Sequence, residues 1–278
     1  MYTTVIDCTT LAQHLQEPAW LVVDCRFNLA DTGYGRRVYA QGHIPGAHYL
    51  HLDDDLSSPI TPDSGRHPLP DVEKLVATLR ALGLRNNTQV VVYDDNGGAM
   101  AGRLWWLLRW MGHQAVAVLD GGWQAWQQQQ GTLSPDPPKI LAEGNFQPQL
   151  QSGFTVTALD LRQANSPWQL VDARAAERFR GEMEPIDPIA GHIPGALNRP
   201  LTDNLQNGYF KSAGQLRAEW EQVLQGCNLA QIVHMCGSGV TACHNQLAME
   251  VAGLSGTRLY PGSWSEWIRD PQRPIAKG

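Results

Sequence analysis

Two tandem α/β domains, each a mainly parallel sheet flanked by helices, are predicted by three observations. A set of motifs occurs twice, short apolar runs alternate with helical stretches, and an unpatterned segment separates the copies. Leu21-Val22-Val23-Asp24-Cys25-Arg26 is matched by Leu170-Val171-Asp172-Ala173-Arg174, pairing Asp24 with Asp172 and Arg26 with Arg174. Gly42-His43-Ile44-Pro45-Gly46-Ala47 returns unchanged as Gly191-His192-Ile193-Pro194-Gly195-Ala196. Val90-Val91-Val92-Tyr93-Asp94 corresponds to Ile232-Val233-His234-Met235-Cys236, and Gly121-Gly122-Trp123-Gln124-Ala125-Trp126 to Gly262-Ser263-Trp264-Ser265-Glu266-Trp267. Preserved order with small drifts in spacing marks a duplication.

Within the first copy, β-type runs at Gln89 to Tyr93 and Ala115 to Leu119 alternate with helical stretches at Ala99 to Trp110 and Gly122 to Gln128. That rhythm is the one of parallel strands joined by crossing helices. Residues 131–151 are rich in Pro, Gln and Gly, as in Ser134-Pro135-Asp136-Pro137-Pro138, and read as a linker. The expected division is an N-terminal domain at 1–130, the linker at 131–151 and a C-terminal domain at 152–278. A chain of 278 residues is long enough to give each domain its own core.

Composition removes several function classes. A net charge of -6 with 21 basic residues leaves no electrostatic footprint for nucleic acid or an anionic membrane. The start Met1-Tyr2-Thr3-Thr4-Val5-Ile6-Asp7 has no basic flank before an apolar run, and no segment approaches the roughly 18 apolar residues that span a bilayer. A soluble, cytoplasmic protein is expected. Five cysteines without CxxC spacing suggest neither a disulfide framework nor a zinc site, and a reducing compartment suits a free thiol. Of the ten tryptophans, Trp105, Trp106, Trp110, Trp123 and Trp126 fall in apolar stretches and are assigned to core packing.

One cysteine stands apart. Cys236 opens Cys236-Gly237-Ser238-Gly239-Val240-Thr241, after the apolar run Gln231 to Met235 and before a helical stretch from Thr241 to Ala252. A thiol at a strand end, in a small-residue loop whose amides can face inward, and at a helix N-terminus, is set up as a nucleophile. The two glycines and Ser238 leave no bulky wall over the sulfur, which admits a substrate. Cys8, Cys25, Cys227 and Cys243 lack this setting and are read as structural. The repeat places Asp94 where the second copy has Cys236, so only the C-terminal domain carries thiol chemistry and the N-terminal one is a non-catalytic scaffold. Asp24 with Arg26 and Asp172 with Arg174 occur in both copies, which makes them structural pairs.

With these motifs in place the chain resembles the tandem-domain sulfurtransferases of the rhodanese superfamily over roughly Ile6 to Ile268. Its loop is similar to that of the 3-mercaptopyruvate-using members, whereas thiosulfate-preferring relatives typically carry Cys-Arg-Lys-Gly-Val-Thr. Thiosulfate is a compact dianion suited to two loop cations, while 3-mercaptopyruvate is a monocarboxylate bearing a keto group. Gly237 and Ser238 replace both cations, so the resemblance assigns the donor carboxylate to Arg178, with Arg180 the second choice. Many such relatives carry a further arginine in a Glu-Pro-Arg segment. This chain has Glu184-Pro185-Ile186-Asp187, leaving Arg36, Arg37 or Arg199 to substitute.

The resemblance implies a two-step reaction without metal or organic cofactor. The Cys236 thiolate takes the donor's sulfane sulfur as a persulfide, and the amides of Gly237, Ser238, Gly239, Val240 and Thr241 stabilise the anion. Cyanide, a small thiol or thioredoxin then accepts the sulfur. The resemblance further implies a relay from Ser238 to His43 and Asp31, with His192 a backbone-bonded imidazole at its tight turn. Thiosulfate as donor is the alternative, and a persulfide carrier or regulatory module without turnover is the second. Phosphatases sharing the fold end their loop in an arginine, where this chain has Ala242.

Overall fold

The computed structural model describes residues 1–139, 142–163 and 166–278. The chain divides into two compact units: Met1–Ser58 with Leu69–Gln151, and Pro59–Pro68 with Ser152–Gly278. The expected boundary therefore needs correction, because Pro59–Pro68 belongs to the second unit although it lies inside the first copy of the repeat. The expected linker groups with the first unit, and its residues Ile140 and Leu141 lie outside the described residues.

Unit 1 carries the strands β1 (Val5–Ile6), β2 (Trp20–Asp24), β3 (His48–Tyr49), β4 (Gln89–Tyr93) and β5 (Val116–Leu119) in the order β1-β5-β4-β2-β3. Every pairing is parallel, with Val22 opposite Val91 and Val91 opposite Ala117. The helices are α1 (Cys8–His14), α2 (Tyr34–Gln41), α3 (Val72–Ala81), α4 (Ala101–Trp110) and α5 (Gly122–Gln128). A parallel strand covered on both faces cannot alternate polar and apolar residues, which is why Val90, Val91 and Val92 are all fully buried. Asp7 and Asp71 cap α1 and α3 by accepting the amides of Thr10 and Lys74.

Unit 2 contains β6 (Gln169–Asp172), β7 (Leu197–Asn198), a short antiparallel pair β8 (Leu205–Gln206) and β9 (Tyr209–Phe210), then β10 (Ile232–Met235) and β11 (Arg258–Leu259). Its parallel sheet runs β11-β10-β6-β7. The helices are α6 (Ala158–Leu161), α7 (Ala176–Phe179), α8 (Ala213–Leu224), α9 (Ala242–Val251) and α10 (Ser263–Trp267). The two-residue period of a strand splits the core into two layers. Val233, Met235 and Leu170 pack with Trp264 and Trp267, while Ile232 and Val171 pack with Trp220 and Leu216. His234 sits edge-on against Trp220 with ring centroids 5.6 Å apart.

The repeated motifs meet in a brace that is the same in both units. Arg26 grips Asp24, donates to the Gly42 carbonyl at 2.7 Å and lies over the Trp123 ring at 4.2 Å. Arg174 grips Asp172, donates to the Gly191 carbonyl at 2.7 Å and lies over Trp264 at 4.8 Å. A buried guanidinium needs both a counter-charge and acceptors for its remaining N–H groups. Each motif supplies one part of that requirement, which ties strand, turn and helix together.

Candidate active site

Cys236 follows β10 directly and is buried, and its backbone is pinned by the segment that follows β11. Its N–H donates to Ser263 Oγ (3.1 Å), its carbonyl accepts from Trp264 (3.0 Å), and the Gly237 carbonyl accepts from Ser265 (2.9 Å). The Gly239 amide turns inward and donates to Cys236 Sγ at 3.2 Å. Gly239 has φ +76°, and a Cβ there would stand 2.2 Å from the Pro261 carbonyl oxygen, so this turn requires glycine. Val240 and Thr241 lead into α9, accepting at their carbonyls from Cys243 and His244. Cys243 is buried and donates its thiol to the Gly239 carbonyl at 3.4 Å, a packing role.

Ser263 has φ +54°, the left-handed region that non-glycine residues avoid at a cost of about 1 kcal/mol. Its hydroxyl accepts from Cys236 and donates to the Tyr260 carbonyl at 2.9 Å, so one strained residue ties the nucleophile to the neighbouring chain. Its counterpart in the repeat, Gly122, has the same φ of +54°. The replacement of a glycine by a serine in the second copy was the signal in the sequence that this position had acquired a task.

Ser238 is buried with its Oγ 2.7 Å from Nδ1 of His67, equally buried. His67 arrives on the segment 59–68, held where the Arg66 amide donates to Ser265 Oγ at 3.0 Å and where a Cβ on Gly65 would touch the Gly262 carbonyl oxygen at 2.5 Å. The relay expected through His43 and Asp31 is corrected by this geometry. His43 directs Nδ1 at the Tyr39 carbonyl (2.9 Å) and Nε2 at the Asp136 carbonyl (3.0 Å), and stacks on Tyr39. His192 does the same in unit 2, with Nδ1 at the Phe179 carbonyl (2.8 Å) and its ring on Phe179. Both histidines therefore serve the turn. Asp31 is exposed and bonded to Arg37, whose hydrogen bond holds its carboxyl below the usual range.

Arg178, on α7, reaches the loop: its Nη2 would lie 3.7 Å from a Cβ on Gly237. Its Nε and Nη2 are held by Glu184 at 3.1 and 2.7 Å, and Nη2 also meets Asp187 at 3.3 Å. Burial raises the Glu184 carboxyl, but the hydrogen bonds from Arg178 and from the amides of Asp187 and Ile186 outweigh it and hold the group below its ordinary value. For Asp187 burial prevails and lifts the carboxyl despite the nearby Arg66. Arg180 turns away to Glu182. The other cations expected to help are committed elsewhere: Arg36 to Asp54, Arg37 to Asp31, and Arg199 to Glu219 and Asn204.

Fold and site together define a thiol-based group-transfer enzyme built on a duplicated α/β domain. A sequence profile described as a rhodanese-like domain matches residues 7–129 and 155–270. A protein of Pseudomonas aeruginosa described as a probable 3-mercaptopyruvate sulfurtransferase is 50% identical over 279 residues, covering 99% of this chain and 98% of that protein. The human 3-mercaptopyruvate sulfurtransferase is 40% identical over 255 residues, covering 87% and 83%. The solved structure of 3-mercaptopyruvate sulfurtransferase from Leishmania major superposes with a TM-score of 0.85 at 31% identity, covering 97% of this chain and 76% of that one. The chain belongs to the rhodanese family, and it is a sulfurtransferase. No helix among the described residues is long and apolar enough to cross a membrane.

Proposed function

We propose that the enzyme moves a sulfane sulfur from 3-mercaptopyruvate through a Cys236 persulfide to cyanide or a small thiol, and that thioredoxin serves as a protein acceptor in the cytoplasm. The observation that carries this reading is the pairing of the Gly239 amide on Cys236 Sγ with the Ser238 to His67 hydrogen bond two residues on. In the first half-reaction the Cys236 thiolate attacks the donor sulfur, an S–S bond forms, the C–S bond breaks, and its electron pair leaves as the enolate of pyruvate. The thiol proton of the donor ends on the enolate carbon, carried by Ser238 and His67. In the second, the acceptor takes the outer sulfur and returns the thiolate. The Gly239 amide meets the negative charge on sulfur in both states.

The test is kcat/KM for 3-mercaptopyruvate and thiosulfate side by side with cyanide as acceptor, with Cys236→Ser as the blank. The expected result is a preference for 3-mercaptopyruvate, with donor adding a mass of about 32 Da to the protein and cyanide removing it, the signature of one persulfide sulfur. No such adduct appears on Cys236→Ser. A preference for thiosulfate overturns the donor, and an adduct on Cys243 overturns the nucleophile.

A further inference from the structure

Among the described residues, four that are not glycine take a left-handed backbone: Gln130, Asn207, Gln225 and Ser263. The first three are exposed, whereas Ser263 is fully buried. The first copy of the repeat avoids the strain with Gly122, so strain kept in the second copy points to a task for the serine side chain. Its hydroxyl makes two bonds. It donates to the Tyr260 carbonyl at 2.9 Å, which leaves its lone pairs to accept from the Cys236 N–H at 3.1 Å. The amides of Trp264 and Ser265 then hold the next two carbonyls, those of Cys236 and Gly237, at 3.0 and 2.9 Å. Three consecutive residues thus fix the backbone on which the sulfur stands. Unit 1 has no need of the hydroxyl, because the Asp94 carboxylate anchors its own loop by accepting the amides of Asn96, Gly98, Met100 and Ala101. A reacting sulfur cannot serve as such an anchor. Cys236 Sγ accepts from the Gly239 amide at 3.2 Å and must trade a thiolate for a persulfide without leaving it, so its position depends on the backbone behind it.

We propose that Ser263 is a positioning residue for sulfur transfer: by accepting the Cys236 N–H it fixes the direction of the Cys236 Cα–Cβ bond and keeps Sγ on the Gly239 amide while the outer sulfur is gained and given away. It acts through the Cys236 backbone and touches no substrate. The left-handed strain is the stability given up for that alignment, which a glycine would restore together with a looser nucleophile. This rests on the reading of Cys236 as the nucleophile and holds for either donor.

Ser263→Gly and Ser263→Ala separate position from stability. Both remove the hydroxyl, but glycine takes φ +54° without strain while alanine keeps the strain. Thermal unfolding is therefore expected to place Ser263→Gly above Ser263→Ala by about 2–4 °C. At a temperature where both are folded, kcat is expected to fall about tenfold in both alike, since a misplacement of about 1 Å costs up to about a hundredfold. KM for 3-mercaptopyruvate should stay within about twofold of wild type, because no donor contact is lost. In a single turnover, the adduct of about 32 Da on Cys236 should form more slowly by the same factor as kcat. A kcat for Ser263→Gly within about twofold of wild type overturns the proposal, as does a loss confined to Ser263→Ala, which would tie activity to stability alone. An adduct that still forms on Cys236→Ser overturns the nucleophile and this proposal with it. A wild-type preference for thiosulfate overturns only the donor, and the same fall in kcat is then read with thiosulfate.

Discussion

At the end of β4 the Asp94 carboxylate accepts four amides: Asn96 and Gly98 at one oxygen (2.9 and 2.8 Å), Met100 and Ala101 at the other (2.7 and 2.8 Å). At the end of β10, in the matching place, Cys236 Sγ accepts from the Gly239 amide. Both loops are anchored alike, since the Asp94 carbonyl accepts from Trp123 at 2.8 Å as that of Cys236 does from Trp264 at 3.0 Å. The first strand end thus closes a ring of inward amides on an acceptor of its own, whereas the second directs the Gly239 amide at the sulfur. Unit 1 fills its ring with a side chain of its own, fully buried, and the ring becomes a structural knot. Unit 2 places there an atom that can gain and lose a second sulfur. The matching strand end is a stability element in one copy and a reaction centre in the other.

Substitutions in equivalent positions break this comparison with different strengths. Asp94→Ala leaves four N–H groups without their acceptor, those of Gly98, Met100 and Ala101 buried, and is expected to cost about 4 kcal/mol in urea unfolding. Cys236→Ala, which removes the acceptor of the Gly239 amide, is expected to cost about 1 kcal/mol in the same experiment. Equal losses would mean that the two loops are built alike after all. Next in size, Ser238→Ala and His67→Gln should each lower kcat for 3-mercaptopyruvate about a hundredfold, and the double variant no further, because the two act as one relay. Additive losses would separate them.

A third comparison lies two residues earlier in the strand, where unit 1 has Val92 and unit 2 has His234. Burial alone pulls the His234 imidazole down to about 3 from its usual 6.5. The folded state keeps it neutral while the unfolded chain takes a proton below about pH 6.5, so its contribution is absent as a penalty above that pH and grows as the pH falls toward 3. At pH 5 the penalty is about 2 kcal/mol. His234→Val, the residue of the other copy, should flatten the fall in stability between pH 7 and pH 5 measured by thermal unfolding. An unaltered slope would place the acid sensitivity elsewhere. The smallest effect is expected for His43→Gln, with activity within about twofold of wild type and a stability loss of about 1 kcal/mol, from the lost ring stack and carbonyl bonds. A loss of turnover as large as that of His67→Gln would return His43 to the relay.

Much of the architecture was legible because it is local or repeated. Val90 to Tyr93 announces a buried parallel strand by continuous apolar character and Ile232 to Met235 by apolar residues around His234, and the brace motifs reveal their structural role by recurring in a unit without a nucleophile. The nucleophile was legible because strand end, small-residue loop and helix start are consecutive in the chain. His43 misled because it shares the motif Gly-His-Ile-Pro-Gly-Ala with His192, and a motif present in both copies reports on the turn rather than on chemistry. Arg66 and His67 gave no comparable signal, since they have no counterpart in the repeat and sit in a segment with no regular element.

The sequence by itself determined the duplication, the α/β sheets, the reactive cysteine and the loss of that cysteine from the first copy, because each is written in residues near one another or in their repetition. Only the tertiary structure decided what surrounds the sulfur. His67 meets Ser238 across 171 residues and the Arg66 amide meets Ser265 across 199. Contacts of that range depend on where the segment 59–68 comes to rest. That is set by a glycine's close approach to a carbonyl and by a buried carboxylate between two arginines, neither of which leaves a periodic trace in the chain.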